Sequence, residues 1–222
     1  MILAHPILNQ PINWDECNIN SFVIENPKMY RDFLNELYEQ EQGLRGEFVL
    51  SNGLTVLDIS KYVEIIFDIL KIDTANNKKI ITGMIKELTE IAINEKHSEI
   101  MALYAKINET ISDVIFLSNN DIAFDDINDI SQIFKMYNVR PDDENLSVAE
   151  KILLHIELCE KLLGKKLFIF LNLHSYFEKE ELENLFKDIV YRKHNVFIIE
   201  RYDYEASKYE CKRIIDIDLC EI

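Results

Sequence analysis

The chain has 222 residues, 48% of them hydrophobic, and carries a formal net charge of −16. That apolar content is enough to close a core, as one large domain or one domain carrying an insertion, and it excludes intrinsic disorder. The negative charge, averaged over the chain, repels nucleic acid and anionic membranes, so any phosphate-binding surface has to be a local basic patch.

In chain order, Ile2 to Ile7 and Ile19 to Ile24 read as short strands, with Pro11 and Trp14 between them, the pattern of an antiparallel edge or hairpin. Asn26-Pro27 then starts a helix, an N-cap residue followed by proline at the first helical position. Its apolar stripe is Met29, Tyr30, Phe33, Leu34, Leu37 and Tyr38, and it ends by Gly43. Glu47 to Leu50 reads as a further strand. From Asp58 strand signals vanish. Val63, Ile66, Ile69 and Leu70 mark one helix, Ile80 to Ile91 a second, Ile100 to Ile115 a third, and Ile130 to Tyr137 a shorter fourth that stops before Pro141.

After Pro141, Ser147-Val-Ala-Glu150 is a capping box, followed by Ile152, Leu153, Ile156, Cys159, Leu162 and Leu163 at helical spacing until Gly164 supplies a stop. Leu167 to Leu171 is an unbroken run of large apolar residues and predicts a strand covered on both faces, as in a parallel sheet between helices. Leu182, Leu185, Phe186, Ile189 and Val190 mark another helix, and Val196 to Ile199 another buried strand, which completes a β-α-β unit. Ile215, Ile217 and Leu219 alternate with Asp216 and Asp218 and predict a last strand with one wet face. The expected organisation is an α/β head, residues 1–57 and 144–222, interrupted by an all-helical leg, residues 58–143.

Cys17, Cys159, Cys211 and Cys220 form no Cys-x-x-Cys pair and read as buried, reduced thiols rather than a disulfide or zinc framework. The start of the chain lacks a basic region followed by a long apolar segment, and no later run reaches membrane-spanning length, so a soluble cytoplasmic protein is expected.

Nucleotide motifs are missing. Gly43-Leu-Arg-Gly46 has neither the spacing nor the Lys-Ser/Thr of a phosphate loop, and the central strand ends in Leu171-Asn172 where a magnesium-binding Asp is expected for ATP chemistry. His174-Ser175 follows that strand, at the usual ligand end of an open α/β sheet, but no Gly-x-Ser-x-Gly elbow surrounds it and loop polarity is the favoured reading. His5, His97, His155 and His194 are scattered without metal-ligand spacing.

Asp121, Asp125 and Asp129 are four residues apart, with Asp126 beside them, and a helix through them stacks like charges that a hard cation would relieve. The register fails the EF-hand loop, with Ala123 at a ligand position and no glycine turn, and the competing reading is that Asp125 or Asp126 caps the fourth helix. The residues alone favour the cap. Basic residues gather at Lys71, Lys78, Lys79 and Lys86 in the leg and at Lys165, Lys166, Arg192 and Lys193 around the β-α-β unit. They are either solvated faces or, aligned by assembly, a phosphate track.

The order of elements, together with Pro6-Ile-Leu-Asn-Gln-Pro-Ile12, Phe67-Asp-Ile-Leu70 and the block from Asn138 to Glu200, resembles the short form of the Csn-two family of type II-A CRISPR adaptation proteins. The similarity lies in length, order and hydrophobic texture, not in a catalytic signature. It implies a head shaped like a P-loop ATPase domain with a degenerate nucleotide site. It also implies a homotetrameric ring that holds double-stranded DNA, preferably linear ends, with calcium ordering the legs and no nucleotide bound. The implied role is non-enzymatic: acquisition of new spacers in antiviral defence, beside the system's integrase complex and RNA-guided nuclease. The acidic segment does not match the family carboxylate for carboxylate, so Asp121, Asp125, Asp126 and Asp129 stand as calcium candidates, and the eight basic residues as DNA-binding candidates from local charge. Two other readings are an ATPase or nuclease on the same head, and an acidic protein-protein scaffold that binds no DNA.

Overall fold

The computed structural model describes residues 1–118 and 120–222. Asn119, which opens the acidic run, lies outside the described residues. The first elements are β1 (Ile2–Ala4), β2 (Ile12–Asn13), β3 (Ile19–Ile24), α1 (Pro27–Glu41), β4 (Val49–Asn52) and β5 (Thr55–Leu57). They are followed by α2 (Ile59–Tyr62), β6 (Val63–Ile66), α3 (Lys78–Leu117) and α4 (Ile130–Met136). The chain closes with α5 (Val148–Leu158), β7 (Leu167–Leu171), α6 (Lys179–Tyr191), β8 (Val196–Glu200) and β9 (Glu210–Ile215). Two compact units result, one from Met1–Thr74 with Asp143–Ile222, the other from Ala75–Asp142.

The first unit is mixed α/β. Its principal sheet has five strands in the order β6-β7-β8-β3-β9, and every pairing in it is parallel. A second, antiparallel sheet runs β2-β1-β4-β5. All five residues of β7 and of β8 are buried, as a sheet covered on both faces requires. At roughly 2 kcal/mol for each fully buried large side chain, β7 alone contributes on the order of 10 kcal/mol before chain entropy is counted. Phe22, Phe168, Phe170, Phe186 and Phe197 are each fully enclosed.

Local signals explain why the helices begin and end where they do. Asn26 caps α1 with Pro27 behind it, and Ser147 and Glu150 cap α5 reciprocally. After Leu158 the helix widens into a π-turn over Cys159–Leu163 and stops at Gly164, whose φ of 70° is left-handed and favours glycine.

Four expectations are corrected. Residues 58–74 belong to the α/β unit, not to a leg: Val63, Ile66, Ile69 and Leu70 are not one helix but the strand β6 and a 3₁₀ turn over Ile69–Lys71. The β-branched Val63, Ile65 and Ile66 suit a strand, and their chance spacing with Ile69 imitates a helix. The segment Ile19–Ile24 is no hairpin arm: β3 lies between β8 and β9, parallel to both. Its polar residues are satisfied inside, with Asn20 Nδ2 donating to Cys17 O at 2.9 Å and Ser21 Oγ to Glu210 Oε2 at 2.6 Å. The last strand is Glu210–Ile215 and ends where the alternating run was expected to begin. Asp216 Oδ1 accepts from the N–H groups of Asp218 and Cys220 and turns the chain there. Finally, Cys211 and Cys220 are exposed, whereas Cys159 is buried and Cys17 half-buried.

The second unit is helical. The helix α3 runs for 40 residues but leaves helical geometry at Lys96, between the two apolar stripes that read as separate helices. Ile100, Tyr104 and Ile130 form a small buried core that ties α4 to α3.

Candidate nucleic-acid interface

The eight basic candidates fall into three kinds of surroundings. Lys165 is turned inward, its side chain 10% exposed, with its ammonium 3.4 Å from Glu64 and donating to the carbonyls of Ser60 and Val63. It is a structural cation. Lys71 lies 3.3 Å from Asp68, Arg192 is paired with Glu157, and Lys166 sits over the Tyr62 ring at 4.9 Å. Lys193 occupies a left-handed position just past α6. Lys78, Lys79 and Lys86 are exposed, and none of the three is in an ion pair among the described residues.

Their placement on α3 sharpens the contrast. Lys78 and Lys79 are its first two residues, its first turn holds no carboxylate, and Asn77 caps it by accepting from the N–H groups of Lys79 and Ile80. Cations at the positive end of a helix dipole are unfavourable, so these lysines do not serve the stability of α3. Lys78 and Lys86, eight residues apart, share a groove of ≈ 720 Å³ with Lys135 of α4, lined also by Ile81, Ile85, Glu90 and Asp129. The sequence picked out the first-half lysines of α3 but missed Lys135, whose place beside them depends on how α4 packs.

The acidic run does not come together. Asp121, Asp125 and Asp126 are exposed on irregular chain, and no three of the four candidate aspartates converge among the described residues. Asp129, not Asp125 or Asp126, caps α4, with Oδ1 accepting from Ser131 N at 2.8 Å and Oδ2 from Ser131 Oγ at 2.7 Å. Those Ser131 bonds hold its carboxyl below the usual range. As placed, these residues do not fit a calcium ion, which needs six to eight oxygen ligands at one point.

At the carboxyl end of the parallel sheet the first strand-to-helix turn is held by the protein's own side chains. Only Glu25 and Asn26 separate β3 from α1. Asn26 Oδ1 accepts from the N–H groups of Lys28 and Met29, both at 3.1 Å, and Pro27 has none to give, so the donors that would cradle a phosphate are already used. After β7, Asn172 donates through Nδ2 to Tyr30 Oη at 3.2 Å. His174 is not paired with Ser175. Its Nδ1 lies 2.8 Å from Glu200 Oε1, and its Nε2 is 3.5 Å from Glu210 Oε1, an electrostatic contact at the long limit of a hydrogen bond. Tyr204 stacks on the imidazole with ring centres 3.7 Å apart, and its hydroxyl donates to Glu210 at 3.0 Å. Burial, then the Glu210 charge, push the Tyr204 phenol well above its ordinary range.

Fold and surface together define a mixed α/β protein whose first strand-to-helix turn is closed by its own side chains, interrupted by a helical unit whose exposed Lys78, Lys79 and Lys86 are in no ion pair among the described residues. A family model described as CRISPR-associated protein (Cas_Csn2) matches residues 38–219, and the chain belongs to that family. It is 26% identical over 220 residues to CRISPR-associated protein Csn2 of Streptococcus agalactiae, across 96% of this chain and 93% of that protein. Among solved structures, a putative ABC transporter ATP-binding protein from Pyrococcus furiosus aligns over 92% of this chain and 88% of its own, at 13% identity and a TM-score of 0.37, too low to establish a shared fold. No helix among the described residues is long and apolar enough to cross a membrane.

Proposed function

We propose that the chain is a non-enzymatic, sequence-independent binder of double-stranded DNA that acts in the cytoplasm in type II-A CRISPR adaptation. It works as a homotetrameric ring closing around linear ends while new spacers are acquired beside the integrase complex and the RNA-guided nuclease. The observation that carries this reading is the set Lys78, Lys79 and Lys86, exposed and in no ion pair among the described residues, on a chain of net charge −16. Gathering several copies turns such a sparse face into a phosphate track, and contact with phosphates positions a duplex without reading its bases. The reading of the α/β unit as a P-loop-like scaffold that has lost its nucleotide draws support from the Asn26 cap and Pro27, which occupy the turn where phosphates bind in such folds.

The test is a mobility shift of a linear duplex against a covalently closed circle of the same sequence, at low ionic strength, with ATP loss and strand cleavage followed in parallel. The linear form is expected to shift, added salt to suppress the shift, and the circle to stay unbound. Equal binding of the circle overturns the ring. Magnesium-dependent ATP loss or cleavage that follows the protein through purification favours the ATPase or nuclease reading, and no binding of either DNA favours the acidic scaffold.

A further inference from the structure

Three donor atoms of different chemistry meet beside β6, the first strand in the order of the parallel sheet. Cys159 Sγ lies 3.5 Å from His155 Nε2, Glu64 Oε1 lies 3.8 Å from the same nitrogen, and all three atoms are within 4.8 Å of one another. The sequence hides this group because Glu64 is remote in the chain from the other two. His155 and Cys159 are four residues apart, one helical turn, and both are buried. Cys159 is also where the α-helix widens into the π-turn, a deformation frequent at functional sites.

The arrangement is not a nucleophile relay. In a relay the nucleophile and the orienting acid hold opposite nitrogens of the imidazole. Here both face Nε2, while Nδ1 is buried with no hydrogen-bond partner among the described residues. The 3.5 Å between Cys159 Sγ and His155 Nε2 is within hydrogen-bond range for sulfur, whereas the 3.8 Å between that nitrogen and the Glu64 carboxylate oxygen is beyond one. Thiolate, imidazole and carboxylate sharing a tetrahedral zinc ion, with bonds of about 2.0 to 2.3 Å, stand about 3.3 to 3.6 Å apart. The sulfur-nitrogen separation of 3.5 Å matches that spacing, the nitrogen-oxygen separation of 3.8 Å is about half an ångström beyond it, and the sulfur-oxygen pair lies within 4.8 Å, so the ion draws Glu64 inward on binding. Lys165 holds the other oxygen, Glu64 Oε2, at 3.4 Å, which leaves Oε1 toward the imidazole.

We propose that Glu64, His155 and Cys159 form a three-ligand site for a borderline transition-metal ion such as zinc, with water as the fourth ligand on the Glu64 side, where the side chain is 27% exposed. Binding forms the sulfur-metal bond as the Cys159 thiol gives its proton to solvent, so one proton leaves per ion bound. The sulfur and nitrogen donors select against hard ions such as calcium and magnesium, which require a shell of oxygen ligands.

The full chain, stripped with chelator and kept reduced, is titrated with cobalt(II) as the spectroscopic probe and then with zinc. One cobalt per chain is expected, with a sulfur-to-metal charge-transfer band in the near ultraviolet and visible bands of tetrahedral cobalt. Zinc abolishes these bands and calcium does not. Cys159→Ser loses the charge-transfer band, while Cys211→Ser, at an exposed thiol, keeps it. Because Cys159 is packed in the core, His155→Gln is run beside it and is expected to lose the tetrahedral pattern with the thiol still in place. A wild-type chain without the band overturns the site whatever the variants do, and so does a band that survives Cys159→Ser or is displaced by calcium. None of these readings depends on DNA, so the site and the proposed function stand or fall separately.

Discussion

His174 joins three strands through one ring: it leaves the end of β7 and lies between Glu200, at the end of β8, and Glu210, at the start of β9. Burial opposes charging the imidazole, but the two carboxylates outweigh it and raise its pKa above the ordinary 6.5. A pKa raised on folding stabilises the folded state below the unfolded value, and that contribution is lost as pH rises through the raised one. Glu210 runs the other way. Burial raises it, the close approach of His174 and hydrogen bonds from Ser21 and the Ser207 N–H outweigh burial, and its pKa falls below the ordinary 4.5. Its contribution is present above 4.5 and is lost as pH falls through the lowered value. Both contributions are therefore complete between 4.5 and 6.5. Wild-type stability in urea is expected to decline as pH rises above 6.5 and through the raised pKa, as the ring discharges. His174→Gln strands two buried carboxylates and is expected to cost about 3 kcal/mol before that decline begins, with the alkaline decline gone. A decline of equal size in the variant would assign the titration to another group.

Among the elements, those whose ends carry their own chemistry were legible in the sequence. The Ser147 capping box, the left-handed Gly164 and the Asn26-Pro27 start all stand where the residues place them, and β7, α6 and β8 form the parallel unit that the unbroken apolar runs require. What failed to show was any strand whose polar residues find partners far along the chain. Pro11 and Trp14 made the segment of β3 read as a hairpin arm, and the partners that hold Ser21 and Glu64 inside, Glu210 and Lys165, are supplied only by folding. The lysines of α3 were legible as a cluster, whereas the counter-ions that disqualify Lys71, Lys165 and Arg192 were not. The Asn26 cap carries a prediction of its own. Asn26→Ala removes two acceptor contacts at the start of α1 and is expected to cost about 1 kcal/mol, read as a lower urea midpoint with an unchanged slope. An unchanged midpoint would mean that water caps α1 as well as Asn26 does.

At the scale of the whole molecule, each chain brings a charge of −16 to a polyanion, so its average surface repels the DNA that its lysine face is proposed to hold. Ionic strength separates the two effects, because phosphate contacts release counter-ions in proportion to their number. The logarithm of the binding constant falls against the logarithm of salt concentration by about 0.9 for each phosphate neutralised on duplex DNA. Replacing Lys78, Lys79 and Lys86 together by glutamine is expected to weaken binding to linear duplex and to flatten that slope by up to about 2.7 for every chain whose three lysines touch phosphate. The matched control replaces Lys71, Lys106 and Lys179, whose ammonium groups lie 3.3, 2.8 and 2.8 Å from Asp68, Glu109 and Glu205. It makes the same change in net charge at cations already compensated within the chain. If net charge governs the encounter, both triple variants lose affinity alike; if the face of α3 grips the duplex, the slope changes for the first and stays with the second. Equal slopes in all three proteins would remove Lys78, Lys79 and Lys86 from the interface.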